Sequence, residues 1–304
     1  MAMNGQPAIE TFGLGKRYGR GDNFALHKLN ISIMPGEVYG YLGPNGAGKS
    51  TTIRLLMNFI QPTEGHAHIL GKDAVKESVE IKRNIGYLPG EFAYYPGMTG
   101  RQFLDYMAEL QPPKRRGYAA ELAHQFEVPL NRKLNTLSKG NRQKIGVIQA
   151  FAAEPDVLVL DEPTSGLDPL MQELFFELVR GAKNRGATTF FSSHNLSEVQ
   201  KICDRVGFIR DGSLITEQTI GEFSQGAPQT YDISFAQESP LPQLRKLRGV
   251  KVIANTPRHV TVKIKGELGP LLALLARHKV NSIDRREIDL EEEFLKFYRK
   301  GKEQ

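Results

Sequence analysis

Residues 43–50 read GPNGAGKS, a match to the pattern G-x-x-x-x-G-K-[ST]. The glycines Gly43, Gly46 and Gly48 let the backbone turn tightly, so that successive N–H groups of the loop, those of Asn45 and Ala47 included, can point at phosphate oxygens. Pro44 sits at the entry to the turn. The apolar run Val38–Leu42 before the loop predicts a buried strand, and the stretch Thr52–Met57 after it predicts a helix starting near Lys49. The positive end of that helix points into the loop. Lys49 then supplies a point charge to the β- and γ-phosphates of a nucleotide, Ser50 a hydroxyl for Mg²⁺, and Thr51 a contact to the α-phosphate. A Gly-rich turn without a ligand is the plainer alternative, and the strand-loop-helix context counts against it.

Working outward, residues 157–163 read VLVLDEP. Four consecutive apolar residues without polar alternation predict a strand covered on both faces, and it carries Asp161 to its carboxyl end, where open α/β sheets bind ligands. Asp161 is placed to hold Mg²⁺ and Glu162 to polarise the water that attacks a γ-phosphate. Two adjacent carboxylates repel each other unless a cation intervenes. A third strand, Thr188–Ser192, ends just before His194. Short β-rich runs alternating with helical stretches make the first part an α/β unit with a mainly parallel sheet.

The 304 residues suggest two domains, 1–225 and 226–304, with a helical subdomain at about 92–152 in the first. Beyond Gly221 the pattern changes, and Gly226, Pro228 and Gln229 read as a linker. Tyr231, Ile233 and Phe235 alternate with polar residues as a half-buried strand. Leu241, Leu244 and Leu247 suggest a short helix, and Val250 with Val252 and Val260 with Val262 and Ile264 give two strands. Leu268, Leu271, Leu272 and Leu275 fall at helical spacing, Ile283 marks a last strand, and Asp289 caps a final helix through Leu290, Phe294, Phe297 and Tyr298. The order β-α-β-β-α-β predicts a small ferredoxin-like α+β domain.

Composition is that of a soluble globular chain, with 40% hydrophobic and 24% charged residues. A net charge of +6 permits contact with an anionic surface without requiring it. Cys203 is the single cysteine, which excludes an internal disulfide framework and suits a reducing cytosol. No signal peptide and no apolar run of about 18 residues is read from the sequence, so a membrane role would run through a partner.

Between the loop and the acidic strand, residues 137–143 read LSKGNRQ, and residues 165–168, directly after Glu162, Pro163 and Thr164, read SGLD. This ordered set, with GPNGAGKS before it and His194 after it, resembles the nucleotide-binding domains of ABC ATPases over about residues 8–222. The resemblance implies a phosphate-loop NTPase fold of ABC type. It implies that LSKGN is the signature segment, with Ser138, Gly140 and Asn141 facing the γ-phosphate held by a second copy. Ser165 and Asp168 belong to the D-loop, His194 is the switch histidine that orients the water with Glu162, and Tyr18 stacks on adenine. Two ATP molecules would be sandwiched in a homodimer, with Mg²⁺ as cofactor and no nucleic acid as partner.

Two segments depart from the family pattern. Residues 85–92 read IGYLPGEF, with Gly90 where relatives carry Gln. Glycine has no ligand atom, so Glu91 is the candidate to give Mg²⁺ an oxygen. Lys139 and Asn141 replace a usual Gly and Gln in the signature. The LPGE form and the second domain resemble exporter subunits of the bacterial drug- and antibiotic-resistance type, bound to a separate membrane permease on the cytoplasmic face of the cell membrane. An importer ATPase, and a soluble ABC ATPase acting on ribosomes or DNA, remain open at this level. The aromatic stretch from Phe92 to Met98 is either a docking surface for the permease or a local core under a loop.

Overall fold

The computed structural model describes residues 5–19, 24–91, 95, 97–222 and 229–285. The chain divides into two compact units, Met1–Ile220 and Gly221–Gln304. In chain order the first contains β1 (Ile9–Arg17), β2 (Phe24–Leu29), β3 (Ser32–Ile33), β4 (Val38–Leu42), α1 (Lys49–Leu56), β5 (Glu64–Ile69), β6 (Lys72–Asp73), α2 (Ser78–Lys82), β7 (Ile85–Leu88), α3 (Gly100–Leu110), α4 (Tyr118–Gln125), α5 (Lys139–Ala152), β8 (Val157–Asp161), α6 (Pro169–Asn184), β9 (Thr188–Ser193), α7 (Leu196–Ile202), β10 (Arg205–Arg210) and β11 (Ser213–Thr219).

The central sheet has the order β11-β10-β4-β9-β8-β7 and is parallel except for β11 at its edge. Every residue of β4, β8 and β9 is buried, as expected of strands covered on both faces. Their register decides where the site lies. Leu42 pairs with Ser193, and Asp161 pairs with Ser192, so the ends of three strands finish in one row. The phosphate-binding loop, Glu162 and His194 all leave the sheet from that row.

A second sheet was not foreseen. β1, β2, β3, β5 and β6 form a separate sheet whose described pairings are all antiparallel. One core cluster joins its Ile9, Leu29 and Ile69 to Tyr41, Val159 and Phe190 of the central sheet and to Ile53 and Leu56 of α1. The α1 helix is thereby pinned between two sheets, which fixes the loop at its N-terminus. The period-2 signal of β1 is blurred by register shifts on both of its neighbours, which is why alternation alone did not reveal it.

Helix starts follow local chemistry. Thr99 and Gln102 form a reciprocal capping box on α3, Ser138 caps α5 by accepting from Asn141 N–H, and Asp168 caps α6 by accepting from Met171 N–H with Pro169 at the first helical position.

The second unit holds β12 (Gln229–Phe235), a helix at Leu241–Leu244, β13 (Val250–Asn255), β14 (His259–Ile264), a helix at Gly269–Leu275 and β15 (Val280–Arg285). Its antiparallel sheet has the order β13-β14-β12-β15 and a core of Tyr231, Ile233, Phe235, Leu244, Val260, Val262, Ile264, Leu271 and Leu275. Gln229, read from composition as linker, instead opens β12 by pairing with Ile264. The turn-like Gly and Pro before it masked the strand start. The helix expected from Asp289 onward lies outside the described residues, as do Gly226 and Pro228.

Candidate active site

The loop 43–50 connects β4 to α1 as the sequence predicts; Gly43 is required by space, Gly46 by its φ of 81°, and Gly48 by both. Gly48 has φ 110°, and a Cβ there would stand 2.7 Å from the Ala25 carbonyl oxygen. A Cβ on Gly43 would stand 2.3 Å from the Ile209 carbonyl oxygen. The loop is therefore clamped against β2 and β10. Lys49 is 6% exposed. Its Nζ donates to the carbonyls of Gly43 (2.6 Å) and Pro44 (3.2 Å) and lies 3.2 Å from Glu162 Oε1.

Ser50 in the first turn of α1 donates its hydroxyl to Asp161 Oδ2 at 2.9 Å. The other oxygen of Asp161 accepts from the buried Ser192 hydroxyl at 2.7 Å. A hydroxyl and a carboxylate oxygen facing each other beside a phosphate loop are the donor set that a hard divalent cation takes. Among the described residues no group of three or more His, Cys, Asp or Glu is arranged as a metal cage. The negative charge of Asp161 is felt at Tyr87 on β7. Burial, with Asp161 as the next cause, pushes that phenol up to about 12.

Glu162 follows β8 directly and takes φ 48°, the left-handed region. For a residue with a Cβ that costs about 1–2 kcal/mol. The turn aims the carboxylate back over the loop, and its N–H donates to the Ser192 carbonyl at 3.1 Å. Oε2 lies 2.6 Å from His194 Nδ1. Oε1 is buried, and Lys49 is its ion-pair neighbour at an angle too poor for a hydrogen bond. Glu162 is thus gripped between a lysine and a histidine, with one oxygen whose hydrogen-bonding capacity is unspent.

The remaining predicted residues form a second group. Ser138, Gly140 and Asn141 stand at the start of α5. A Cβ on Gly140 would come within 2.8 Å of the Gly166 carbonyl, so this glycine is demanded by the SGLD turn of its own chain, whereas a close approach of phosphate was the expected reason. Ser165 and Asp168 lie on that turn, where Asp168 has a structural task as N-cap of α6. Tyr18 directly follows β1 with half its surface exposed, and Lys16 Nζ lies 5.6 Å from its ring centre. The position against Asp161 belongs to Gly90: a Cβ there would stand 3.4 Å from Asp161 Oδ2, while Glu91 is exposed. Of the aromatic stretch, Phe92, Ala93, Tyr94 and Pro96 fall outside the described residues. Tyr95 is exposed and packs edge-on against Tyr106.

Four residues that sequence reasoning passed over belong to the site's frame. Ser192 holds Asp161. Gln143, buried in α5, donates to the Pro163 carbonyl at 2.9 Å. Thr164 and Glu198 are joined by a hydrogen bond of 2.8 Å. None of the four had a clear signal, since even Ser192 sits in a strand, TTFFSS, that is polar at both ends.

Comparison with known proteins agrees with this geometry. The family model described as "ABC transporter" matches residues 26–165. The daunorubicin/doxorubicin resistance ATP-binding protein of Streptomyces peucetius is 39% identical over 228 residues, which span 72% of this chain and 68% of that protein. The bacitracin transport ATP-binding protein of Bacillus licheniformis is 37% identical over 215 residues, 69% of either chain. Among solved structures, a bacterial ABC transporter cassette determined as a dimer superposes with a TM-score of 0.64 at 25% identity, covering 70% of this chain and 98% of that one. Identity at this level over more than two thirds of both relatives means that the chain belongs to the ABC transporter ATP-binding proteins, the subunits that bind and hydrolyse ATP.

Proposed function

We propose that this chain powers export of a small molecule, of drug or antibiotic type, through a separate membrane-spanning permease. The observation that carries the catalytic part is Glu162, held between Lys49 and His194 at the carboxyl edge of the central sheet. Lys49 and the N–H groups of Asn45, Gly46, Gly48, Ser50 and Thr51 cradle the phosphates, with Gly43, Pro44 and Ala47 shaping the turn, where the N–H groups of Gly43 and Ala47 are spent on the carbonyls of Ser193 and Pro44. Ser50 and Asp161 would hold Mg²⁺, which would supply positive charge to the phosphate oxygens when bound. The exposed Glu91 is a weaker metal candidate than its neighbour's position suggests. Glu162 draws a proton from the water that attacks the γ-phosphorus, and the bond to the β–γ bridging oxygen breaks to leave ADP and phosphate. His194 orients Glu162 and that water. Tyr18 offers its exposed ring to adenine, an interaction worth about 1–3 kcal/mol.

The working unit in this reading is a homodimer. The dimeric relative supports it, as does the approach of the Gly140 backbone to the Gly166 carbonyl, which brings the LSKGN and SGLD segments together. Ser138, Gly140, Asn141, Ser165 and Asp168 act on the γ-phosphate held by the other copy. Loss of that phosphate removes the shared ligand and opens the dimer. The export assignment is supported by the drug-resistance and bacitracin-transport relatives. The residues 1–225 form the nucleotide-binding domain and 226–304 a ferredoxin-like accessory domain, on a chain that docks at the inner face of the membrane through its permease. Among the described residues no helix is long and apolar enough to cross a membrane.

Affinity purification of the tagged chain from gently solubilised native membranes tests the transport reading. A polytopic membrane protein is expected at near-equal stoichiometry. Recovery only with ribosomes, with DNA or in the soluble fraction would overturn it and leave the ATPase chemistry intact.

A further inference from the structure

The two groups that act on the γ-phosphate in the reading above, Glu162 and His194, leave the sheet on the neighbouring strands β8 and β9, whose ladder pairs Asp161 with Ser192 and ends with Glu162 N–H on the Ser192 carbonyl. Beyond that last ladder bond, Glu198, in the first turn of α7, adds a side-chain tie. Its Oε1 accepts from the Thr164 hydroxyl at 2.8 Å, and its Oε2 accepts from the Ser193 hydroxyl at 2.7 Å. Thr164 lies two residues after Glu162, and Ser193 immediately precedes His194. Both hydroxyls are buried, and both bonds run from O–H to an ionised carboxylate, the short and strong kind. Ser193 Oγ also accepts from Asn195 N–H at 2.9 Å, so the turn around His194 closes on the same atom that Glu198 grips.

We infer that Glu198 is a positioning residue for ATP hydrolysis: one carboxylate ties the turn after Glu162 to the strand end before His194 and so sets the 2.6 Å contact between them. This rests on the assignment of Glu162 and His194 as base and orienting residue. A physical need for such a tie is visible at Glu162 itself. A non-glycine residue at φ 48° persists only where its surroundings over-determine it. The turn behind it is closed by Ser165 N–H to the Glu162 carbonyl (3.1 Å) and Leu167 N–H to the Thr164 carbonyl (3.0 Å). Gln143 of α5 holds the same turn from the other side through the Pro163 carbonyl. Glu198 and Gln143 are two struts on one turn, but only Glu198 reaches across to the histidine.

The test is steady-state ATP hydrolysis by the full-length chain, with ATP affinity measured on the same variants by displacement of a fluorescent nucleotide. Glu198→Ala is expected to lower kcat by on the order of tenfold to a hundredfold, the usual cost of an ångström-scale misplacement. ATP affinity should stay within about twofold of the parent, because the loop 43–50 is untouched. Glu198→Gln keeps an oxygen for Thr164 and an amide that can donate to Ser193, and should recover most of kcat. Thr164→Val should resemble Glu198→Ala, and the double variant should lose little more, since both break one link. Thr164→Val and Glu198→Gln carry the test if Glu198→Ala fails to fold. Parent-like kcat in Glu198→Ala or Thr164→Val would overturn the inference. So would a parallel fall in kcat, ATP affinity and melting temperature without recovery in Glu198→Gln, the pattern of a residue that only holds the fold. Glu162→Gln is run beside them: parent-rate hydrolysis there would remove the base assignment, and the inference with it. Loss of hydrolysis in Glu162→Gln together with an unaffected Glu198→Ala would sink the positioning role alone.

Discussion

Lys49 Nζ stands 3.2 Å from Glu162 Oε1, and His194 Nδ1 stands 2.6 Å from Oε2 of the same carboxylate. Under the proposed function, the cation that serves the phosphates and the carboxylate that serves the water share this contact. A γ-phosphate entering the loop would then compete with Glu162 for Lys49, and binding and base activation would be coupled through a pair of atoms, since the carboxylate that gives up its lysine is the one that must then accept a proton.

Glu162→Gln should separate the two functions. The amide cannot take the proton, so hydrolysis should fall by at least about a hundredfold, within the usual range for loss of a general base. The amide also no longer pairs with Lys49 as an ion, so ATP should bind as tightly as to the parent or more tightly. Equilibrium dialysis with labelled ATP and a phosphate-release assay measure the two quantities. Hydrolysis at the parent rate would refute the assignment of Glu162, and weakened binding would refute the competition for Lys49.

What could be read from the sequence was local. β4, β8 and β9 announced themselves because strands buried on both faces leave uninterrupted apolar runs, and the loop 43–50 did so because only glycine fits its turns. Ser138 was legible as the cap of α5 from its own stretch of chain. The struts were not. Gln143 meets Pro163 across 20 residues and Thr164 meets Glu198 across 34, and a single sequence carries no trace of a pairing at that distance. The antiparallel sheet was hidden for a related reason: its chain leaves after Ile33 for β4, the phosphate loop and α1 before returning at Glu64, and its register is broken by shifts. Gly140 was singled out for a close approach of phosphate, and the structure supplies a different demand on it, the Gly166 carbonyl of its own chain at 2.8 Å from a built Cβ.

Two glycines of the same unit should respond to alanine with opposite sign. A Cβ on Gly86 of β7 would fall 1.9 Å from the Ala150 carbonyl oxygen and within 3 Å of Pro155 and Leu158 side-chain carbons. The α5 backbone cannot give way cheaply, so Gly86→Ala should destabilise by about 3 kcal/mol, the upper end for overpacking. Gly181, inside α6, has only the Arg185 guanidinium at 3.8 Å from a built Cβ. Gly181→Ala should stabilise by about 0.5–1 kcal/mol through reduced freedom of the unfolded chain. Urea unfolding midpoints at equal slope compare the two: an unchanged or raised midpoint for Gly86→Ala would contradict the packing of β7 against α5, and a lowered midpoint for Gly181→Ala would contradict the open space at α6.

The alkaline limb of stability should carry the mark of Cys203. This thiol closes α7 and is 7% exposed, and a Cβ on Gly40 would stand 3.0 Å from its sulfur. Burial pushes its pKa well up, Asp204 adds to the rise, and Lys183 opposes it. The folded pKa lies above the unfolded value of about 8.5, so folding favours the neutral thiol. The stabilisation is fully present below about pH 8.5, and it is lost as pH climbs towards the folded pKa because the unfolded chain releases the proton first. The slope for one proton approaches about 1.4 kcal/mol per pH unit. Tyr39, Tyr41 and Tyr87 are raised in the same sense, but their unfolded phenols titrate only near pH 10. Between about pH 8.5 and 10 the thiol therefore dominates. Cys203→Ala should flatten the fall in unfolding free energy across that window, whatever it does to the stability at pH 7. An unchanged slope in urea titrations at pH 8, 9 and 10 would mean that the thiol is accessible in the folded chain, and rapid labelling of the native protein by a thiol reagent at pH 8 would say the same.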